Sequence, residues 1–174
     1  MDNSVSLIKP CAELRESYVD FYQDWIHSGE DMVPWVIQRD PANFSEMMQF
    51  LTDNEKAVNL PDGWVPTSTY WLVTSDNVVV GAVNIRYRLN ERLLNTGGHI
   101  GYGIRPSERQ KGYATELLKQ ALLKVKELGI DKALVVCDAS NVGSERTICK
   151  NGGVEDTIFT EEDGNVIKRF WIKV

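Results

Sequence analysis

The chain has 174 residues, of which 43% are hydrophobic and 25% are charged, and its formal net charge at pH 7 is −6. This length fits one domain over residues 1–174 with a core large enough to fold by itself. An acidic chain has no excess of basic residues to neutralise phosphates, which argues against non-specific binding to nucleic acid.

The cysteines and histidines do not form the pattern of a metal or redox centre. Cys11, Cys137 and Cys149 are odd in number and lack the spacing of a metal or redox pair, which is typical of reduced thiols. His27 and His99 are far apart in the sequence. No apolar run approaches the roughly 18 residues of a membrane span, and the N-terminus lacks the regions of a signal peptide. We therefore expect a cytoplasmic protein that binds no metal and no membrane.

The first third of the chain predicts one short strand and two helices. The segment SLIKP reads as a strand that Pro10 ends. Apolar and aromatic residues recur at helical spacing over residues 12–27, and Gly29 ends this helix. A loop that contains prolines follows, and a second helix is predicted over residues 43–56.

The remaining chain predicts strands first, and then alternating helices and strands. TYWLVTS, NVVVGAVNIRYRL and GHIGYGI are rich in β-branched and aromatic residues, which is typical of strands. A long amphipathic helix is predicted from near Tyr113 to the cap at Gly129, and KALVVCD reads as a strand covered on both faces. A helix over residues 142–150 precedes two last strands, VEDTIFT and VIKRFWIKV. This order predicts an α/β (α+β) fold with about four helices on a mixed, mostly antiparallel sheet of about seven strands.

The stretch GYGIRPSERQKGYATELL joins the predicted strand ending at Ile104 to the long helix. The start of a helix leaves backbone N–H groups unpaired and carries about half a positive charge, so it attracts anions. Gly112 lets a ligand approach the backbone closely, and Arg109 and Lys111 add positive charge. Because several amides converge there, a phosphate or pyrophosphate fits better than a carboxylate. The sequence contains neither the P-loop pattern nor the glycine pattern of dinucleotide-binding folds.

Residues 109–114 (RQKGYA) resemble the (Q/R)-x-x-G-x-(G/A) pattern of the GNAT family of N-acetyltransferases. The strand, proline, loop and helix in IRPSERQKGYATELL resemble the same family, as does N-x-x-S at Asn141 followed by KNG at Lys150. The inferred order of elements also agrees over the whole chain. Within the family, HIGYGIRPSERQKGYAT and NVGSERTICKNGG are most similar to the ribosomal-protein N-terminal acetyltransferase branch and to uncharacterised bacterial relatives.

The resemblance implies acetyl-CoA as the cofactor and assigns residues to its parts. The pyrophosphate would be held by backbone amides of Arg109, Gln110, Lys111, Gly112, Tyr113, Ala114 and Thr115. The pantetheine would lie where the strand ending at Ile104 splays from the parallel central strand ALVVC. The Ile104 backbone would lie near the thioester, with Asn141 and Ser144 near the pantetheine arm or the thiol.

The implied reaction is direct transfer of the acetyl group to a primary amine, without a covalent enzyme intermediate. His99 is the candidate base, because it stands where many relatives have glutamate and its ordinary pKa is near 6.5. The alternative is a histidine that only forms hydrogen bonds within the sheet. Many relatives carry a tyrosine as general acid at the position of Ile148, so Ser144 or water would have to act here.

The acceptor is expected at the loop SGEDMVPWVIQRD, where Glu30, Asp31 and Trp35 could hold a cationic, partly apolar amine. The alternative is an ordinary loop with a packed tryptophan. The sequence leaves open whether the acceptor is a small molecule or a protein N-terminus, and the resemblance leaves a homodimer open. Two rival functions also remain: a CoA-binding module that senses without catalysis, and a transferase for a longer acyl-CoA.

Overall fold

Residues 4–174, the part of the chain that the computed structural model describes, contain seven strands and four α-helices. The strands are β1 (Val5–Ile8), β2 (Thr67–Thr74), β3 (Val79–Arg86), β4 (Ile100–Ile104), β5 (Lys132–Asp138), β6 (Val154–Thr160) and β7 (Val166–Lys173). The helices are α1 (Arg15–Ser28), α2 (Phe44–Glu55), α3 (Tyr113–Glu127) and α4 (Val142–Lys150). The predicted elements are confirmed, and β5, α4 and β6 begin and end at the predicted residues. The signal-peptide prediction also rests on residues 1–3, which lie outside this described range.

The strands form two antiparallel sheets that meet edge to edge. The first sheet has the order β1-β2-β3-β4 and the second has the order β5-β7-β6. β5 pairs with β7 over its whole length, from Lys132 opposite Lys173 to Asp138 opposite Ile167. The predicted splayed sheet is therefore two sheets, whose neighbouring edges are β4 and β5.

β4 and β5 are hydrogen-bonded to each other where they begin. The N–H of His99 donates to the carbonyl oxygen of Leu134 at 2.7 Å, and the N–H of Leu134 donates to Nδ1 of His99 at 2.9 Å. Beyond this point β4 pairs along its length with β3, and β5 with β7. The two strands therefore diverge toward their carboxyl ends and leave room for a ligand between them.

Helices cover both faces of the first sheet. Successive side chains of a strand point to opposite faces, and Trp71 and Leu72 accordingly belong to different apolar clusters. Leu72 packs with the apolar stripe of α3, in which Leu117 and Ala121 are fully buried. Trp71 packs with α1 and α2, and its ring stacks on Tyr18 with 4.2 Å between the ring centroids. This packing fixes α1 and α3 on either side of β4, which is where the site lies.

The sequence patterns do not predict three short helical turns. Trp35–Gln38 and Pro106–Glu108 are 3-10 turns, and Leu93–Gly97 is a π turn. Such short turns are not long enough to show a hydrophobic period. Leu128 lies inside the helix predicted to run to Gly129, but it is 41% exposed and follows the last residue of α3. No helix within residues 4–174 is long and apolar enough to cross a membrane.

Candidate active site

A cleft of about 840 Å³ opens beside the carboxyl end of β4. Its walls are the end of β4, the loop before α3, one face of α4, and the connection between α1 and α2. Ligand pockets in proteins typically have volumes of roughly 300–1,000 Å³ and form where structural elements part. The cleft is therefore large enough for an extended organic ligand.

The loop before α3 presents unpaired backbone amides at this cleft. Gly112 is the N-cap of the helix with φ +85°, and Gln110 is also left-handed with φ +61°. As a glycine, Gly112 offers no side-chain cap, so the N–H groups of the first turn stay available for a ligand. A Cβ at Gly112 would meet no heavy atom within 4 Å, so the space beside these amides is open. The loop and the positive end of α3 therefore fit a pyrophosphate.

Most of the predicted cofactor residues line the cleft. They are Ile104, Arg109, Gln110, Gly112, Tyr113, Ala114, Thr115 and Asn141. Lys111 instead lines an adjoining pocket of about 340 Å³ together with Gly112 and Tyr113, and its Nζ pairs with Glu108 at 2.7 Å.

α4 adds two basic residues to the cleft that the sequence analysis missed. Arg146 and Lys150 both line it, one turn apart on the same face of the helix. Residues four apart on a helix lie on one face, so this spacing was the signal in the sequence that could have identified them. Together with Arg109 they give the cofactor side of the cleft a positive charge.

Arg109 bridges two walls of the cleft. Its Nε donates to the carbonyl oxygen of Ile104 at 3.3 Å, and its Nη1 pairs with Glu30 at 2.8 Å. The guanidinium also lies 5.1 Å from the ring centroid of Trp25. Arg109, which was predicted to bind the pyrophosphate, is therefore in direct contact with Glu30, which was predicted to bind the acceptor.

The last turns of α1 anchor the segment just before residues 109–115, which are here called the phosphate loop. Oδ2 of Asp24 accepts hydrogen bonds from the N–H and the Oγ of Ser107, each at 3.0 Å, and from Nε of Arg105 at 3.4 Å. Burial acts to raise the pKa of Asp24, but the hydrogen bonds from Ser107 and the charge of Arg105 outweigh it and lower the pKa. Arg105 is itself buried and also pairs with Asp20 at 3.0 Å.

The three predicted acceptor residues do not all reach the cleft. Glu30 and Asp31 line it. Trp35 is not one of the lining residues; its ring packs edge-on against Trp64 and Phe50, with centroid distances of 4.9 and 5.9 Å. Its position matches the alternative of a packed tryptophan in a loop.

The connection between α1 and α2 lies directly on β4. A Cβ at Gly103 would collide with the carbonyl oxygen of Val33 and come within 3.2 Å of the ring of Trp25. Glycine at this position therefore lets the acceptor wall approach the strand that faces the cofactor.

His99 lies at the junction of the two sheets and is not one of the residues that line the cleft. It is 6% exposed, and its Nδ1 accepts the N–H of Leu134. A neutral imidazole that accepts at Nδ1 carries its proton on Nε2. Burial and the nearby charge of Arg86 lower the pKa of His99, which keeps the ring neutral. These contacts match the alternative of a histidine that forms hydrogen bonds within the sheet.

Ser144 lines the cleft in the first turn of α4, where its N–H donates to Oδ1 of Asn141 at 3.1 Å. Its Oγ lies 3.0 Å from the hydroxyl of Tyr102, which also lines the cleft. The sequence analysis gave no role to Tyr102. No local pattern in the segment IGYGI distinguishes this tyrosine from one in the core. Ile148 is fully buried in the core.

The thiols and the metal-binding side chains form no further centre. Cys11, Cys137 and Cys149 are free, and burial raises the pKa of Cys137 to about 11, with the charge of Glu145 adding to the effect. Among residues 4–174, no three or more His, Cys, Asp and Glu side chains are grouped so that they could hold a metal ion.

Comparison with known proteins relates the chain to acetyltransferases. Residues 7–154 match the acetyltransferase (GNAT) domain family. The structure of the ribosomal-protein α-N-acetyltransferase RimL in complex with coenzyme A has a TM-score of 0.71 at 11% identity, covering 99% of this chain and 96% of RimL. The microcin self-immunity acetyltransferase MccE in complex with acetyl-CoA and AMP has a TM-score of 0.68 at 15% identity, covering 99% and 94%. A variant of the spermidine N-acetyltransferase SpeG from Vibrio cholerae has a TM-score of 0.62 at 17% identity, covering 98% and 94%. None of the curated proteins compared with the chain matches its sequence.

The fold and the cleft thus define a protein of two splayed sheets, with an open helix start suited to an anionic ligand. Because the family match spans most of the sequence, the chain belongs to the GNAT acetyltransferase family. It is an acetyl-CoA-dependent N-acetyltransferase, and acetyl-CoA supplies the activated acetyl group as a thioester.

Proposed function

We propose that this enzyme acetylates a primary amine of a small molecule or a protein N-terminus, and that the amine enters along the connection between α1 and α2. The observation that carries the proposal is that one cleft contains both the phosphate loop and the acidic residues Glu30 and Asp31. An acetyl donor on the loop and an amine at the acidic wall would share this cleft. Holding two well-oriented reactants together can supply roughly 7–11 kcal/mol of the barrier.

The two acidic residues differ in their availability. Glu30 is paired with Arg109. Asp31 lines the same cleft, and no cation within residues 4–174 pairs with it. A free carboxylate favours a positively charged acceptor. Asp31 is therefore our first choice for the group that attracts the acceptor.

The acceptor amine must lose its charge before it can attack the thioester. Deprotonation at pH 7 costs about 4–5 kcal/mol for a lysine-like amine of pKa about 10.4, and about 1 kcal/mol for an α-amine of pKa about 8. His99 does not line the cleft, and its Nδ1 is occupied by Leu134. We therefore propose that amines of low pKa, such as the α-amines of peptides and amino acids, are the better acceptors.

The test is thiol release from acetyl-CoA with a panel of aminoglycosides, polyamines, free amino acids and short peptides. We expect α-amines to react fastest at neutral pH. Asp31→Asn should raise KM for cationic acceptors up to about fivefold, because a partly exposed ion pair contributes roughly 0.2–1 kcal/mol. Asp76→Asn makes the same chemical change in the exposed turn between β2 and β3, and should leave KM unchanged.

Three outcomes would contradict the proposal. If Asp31→Asn and Asp76→Asn changed KM equally, Asp31 would not belong to the acceptor site. Tight binding of acetyl-CoA with no turnover on any amine would favour a CoA sensor. Turnover only with a longer acyl-CoA would favour the other rival, an acyltransferase of different donor preference.

A further inference from the structure

Two hydroxyl groups, one from β4 and one from α4, are hydrogen-bonded to each other in the cleft. The hydroxyl of Tyr102 lies 3.0 Å from Oγ of Ser144, and both residues line the cleft. These two residues form a pair, here called the hydroxyl pair, between the strand and the helix that the resemblance places beside the pantetheine.

The hydroxyl pair has one O–H group that the bond between its members does not use. Each hydroxyl carries one proton and can also accept hydrogen bonds. The one hydrogen bond between Tyr102 and Ser144 uses one of their two protons. The other O–H can therefore donate to a ligand in the cleft. The backbone of Ser144 is held by its hydrogen bond to Asn141, which positions the pair at the start of α4.

We infer that Tyr102 is a catalytic residue, whose hydroxyl, together with that of Ser144, donates a hydrogen bond to the thioester sulfur and stabilises the departing thiolate. This inference rests on the proposed function. Tyr102 would take the place of the tyrosine that relatives carry at Ile148, but it would act from β4. Tyr102 is half-buried and its ring packs against the apolar core, which makes such a donor stronger than the same group in water.

The hydroxyl of Tyr102 would donate a hydrogen bond and keep its proton. Burial raises the pKa of Tyr102 to about 12, whereas an alkyl thiol has a pKa of about 8.5. Full proton transfer to the thiolate would therefore be unfavourable by more than three powers of ten. During transfer, the amine lone pair forms the C–N bond and the C–S bond breaks with its electron pair on sulfur. The proton that the reaction releases comes from the amine and ends in water or on the thiol.

The decisive measurement is the pKa of the thiol of bound CoA. The titration is monitored through the ultraviolet absorbance of the thiolate. Desulfo-CoA, which lacks this thiol, provides the blank for the protein's own cysteines and tyrosines. A hydrogen bond to a charged group is worth about one to two pKa units. We expect Tyr102→Phe to raise the thiol pKa by that amount and to lower kcat by up to about 10–100-fold, while Kd for protonated CoA stays unchanged.

The chain offers a matched control for the loss of a tyrosine hydroxyl. The hydroxyl of Tyr87 lies 2.6 Å from Oγ of Ser68, and neither residue lines the cleft. Tyr87→Phe should leave both the thiol pKa and kcat unchanged. Ser144→Ala should reproduce part of the Tyr102→Phe effect, because the two hydroxyls share one free proton.

An unchanged thiol pKa in Tyr102→Phe, or an equal shift in Tyr87→Phe, would overturn the assignment. The titration needs no acceptor. Failure to find an amine substrate would therefore count against the proposed function alone, while a shifted thiol pKa would still support Tyr102 as the donor to sulfur.

Discussion

Replacing Gly112 by glutamate tests whether the loop before α3 binds the pyrophosphate. Three variants separate the effects of backbone strain, side-chain bulk and charge on CoA binding: Gly112→Ala, Gly112→Gln and Gly112→Glu. Each puts a side chain at φ +85°, which costs about 1–2 kcal/mol of folding free energy. Because this strain is present with and without ligand, it should lower the free energy of unfolding but largely cancel from the affinity for CoA.

The glutamate differs from the glutamine only by its charge. No heavy atom lies within 4 Å of a Cβ at position 112, so either side chain can extend toward the ligand. Two like charges about 5 Å apart repel by about 3 kcal/mol at an effective dielectric constant of about 20. We therefore expect Gly112→Glu to bind CoA about a hundredfold more weakly than Gly112→Gln.

Titration calorimetry with CoA at low and high salt measures this difference. The gap between the glutamate and glutamine variants should shrink at high salt, because partly exposed charges are screened. Equal CoA affinity of the two variants at low salt would refute the assignment of the phosphate loop to residues 109–115. Thermal unfolding of all three variants confirms that the strain is matched.

Two further predictions concern the supports of the cleft. The unfolding free energy should fall as the pH drops below about 6.5, because the lowered pKa of His99 makes the unfolded chain bind the extra proton. His99→Asn can still accept a hydrogen bond from the N–H of Leu134, so it should keep stability and turnover but lose this pH dependence. His99→Ala leaves that N–H without an acceptor and should lower the free energy of unfolding by about 1–3 kcal/mol. If both variants lost turnover alike and high pH restored it, His99 would be a base. Asp24→Asn should weaken CoA binding severalfold, because Ser107 loses its hydrogen bonds to the carboxylate. Since the pKa of Asp24 is lowered in the folded protein, its contribution to the free energy of unfolding is lost as the pH falls below about 3.9. Asp20→Asn is the control, since the side chain of Asp20 is 73% exposed. This variant should change the free energy of unfolding by less than about 1 kcal/mol. Equal CoA affinity of the two variants would contradict an anchoring role of Asp24.

Local chemistry explains why the phosphate loop was predictable. A glycine cap, two adjacent cations and a following amphipathic helix all lie within residues 109–128. Their meaning does not depend on the rest of the chain, because the unpaired amides belong to the helix start itself. The helices and strands were predictable for the same reason. The spacing of their apolar residues depends on whether one face or both faces of the element are buried.

The roles of His99 and Tyr102 depend on contacts between distant residues. His99 meets Leu134, 35 positions away, and Tyr102 meets Ser144, 42 positions away. In sequence, a histidine on a strand near a cofactor loop suits a base, and only the edge-to-edge junction of the sheets shows that its Nδ1 is occupied. In the same way, nothing local distinguishes Tyr102 from a core tyrosine until α4 brings a second hydroxyl to it.

The sequence by itself therefore determined the elements, the family and the anion-binding helix start, since each depends on residues close together in the chain. The tertiary structure decided which side chains share the cleft. It separated Asp31 from Trp35 and removed His99 from the cleft lining. The physical reason is that hydrogen bonds and burial between remote segments set the direction of a side chain and the state of its protons, and no local pattern records them.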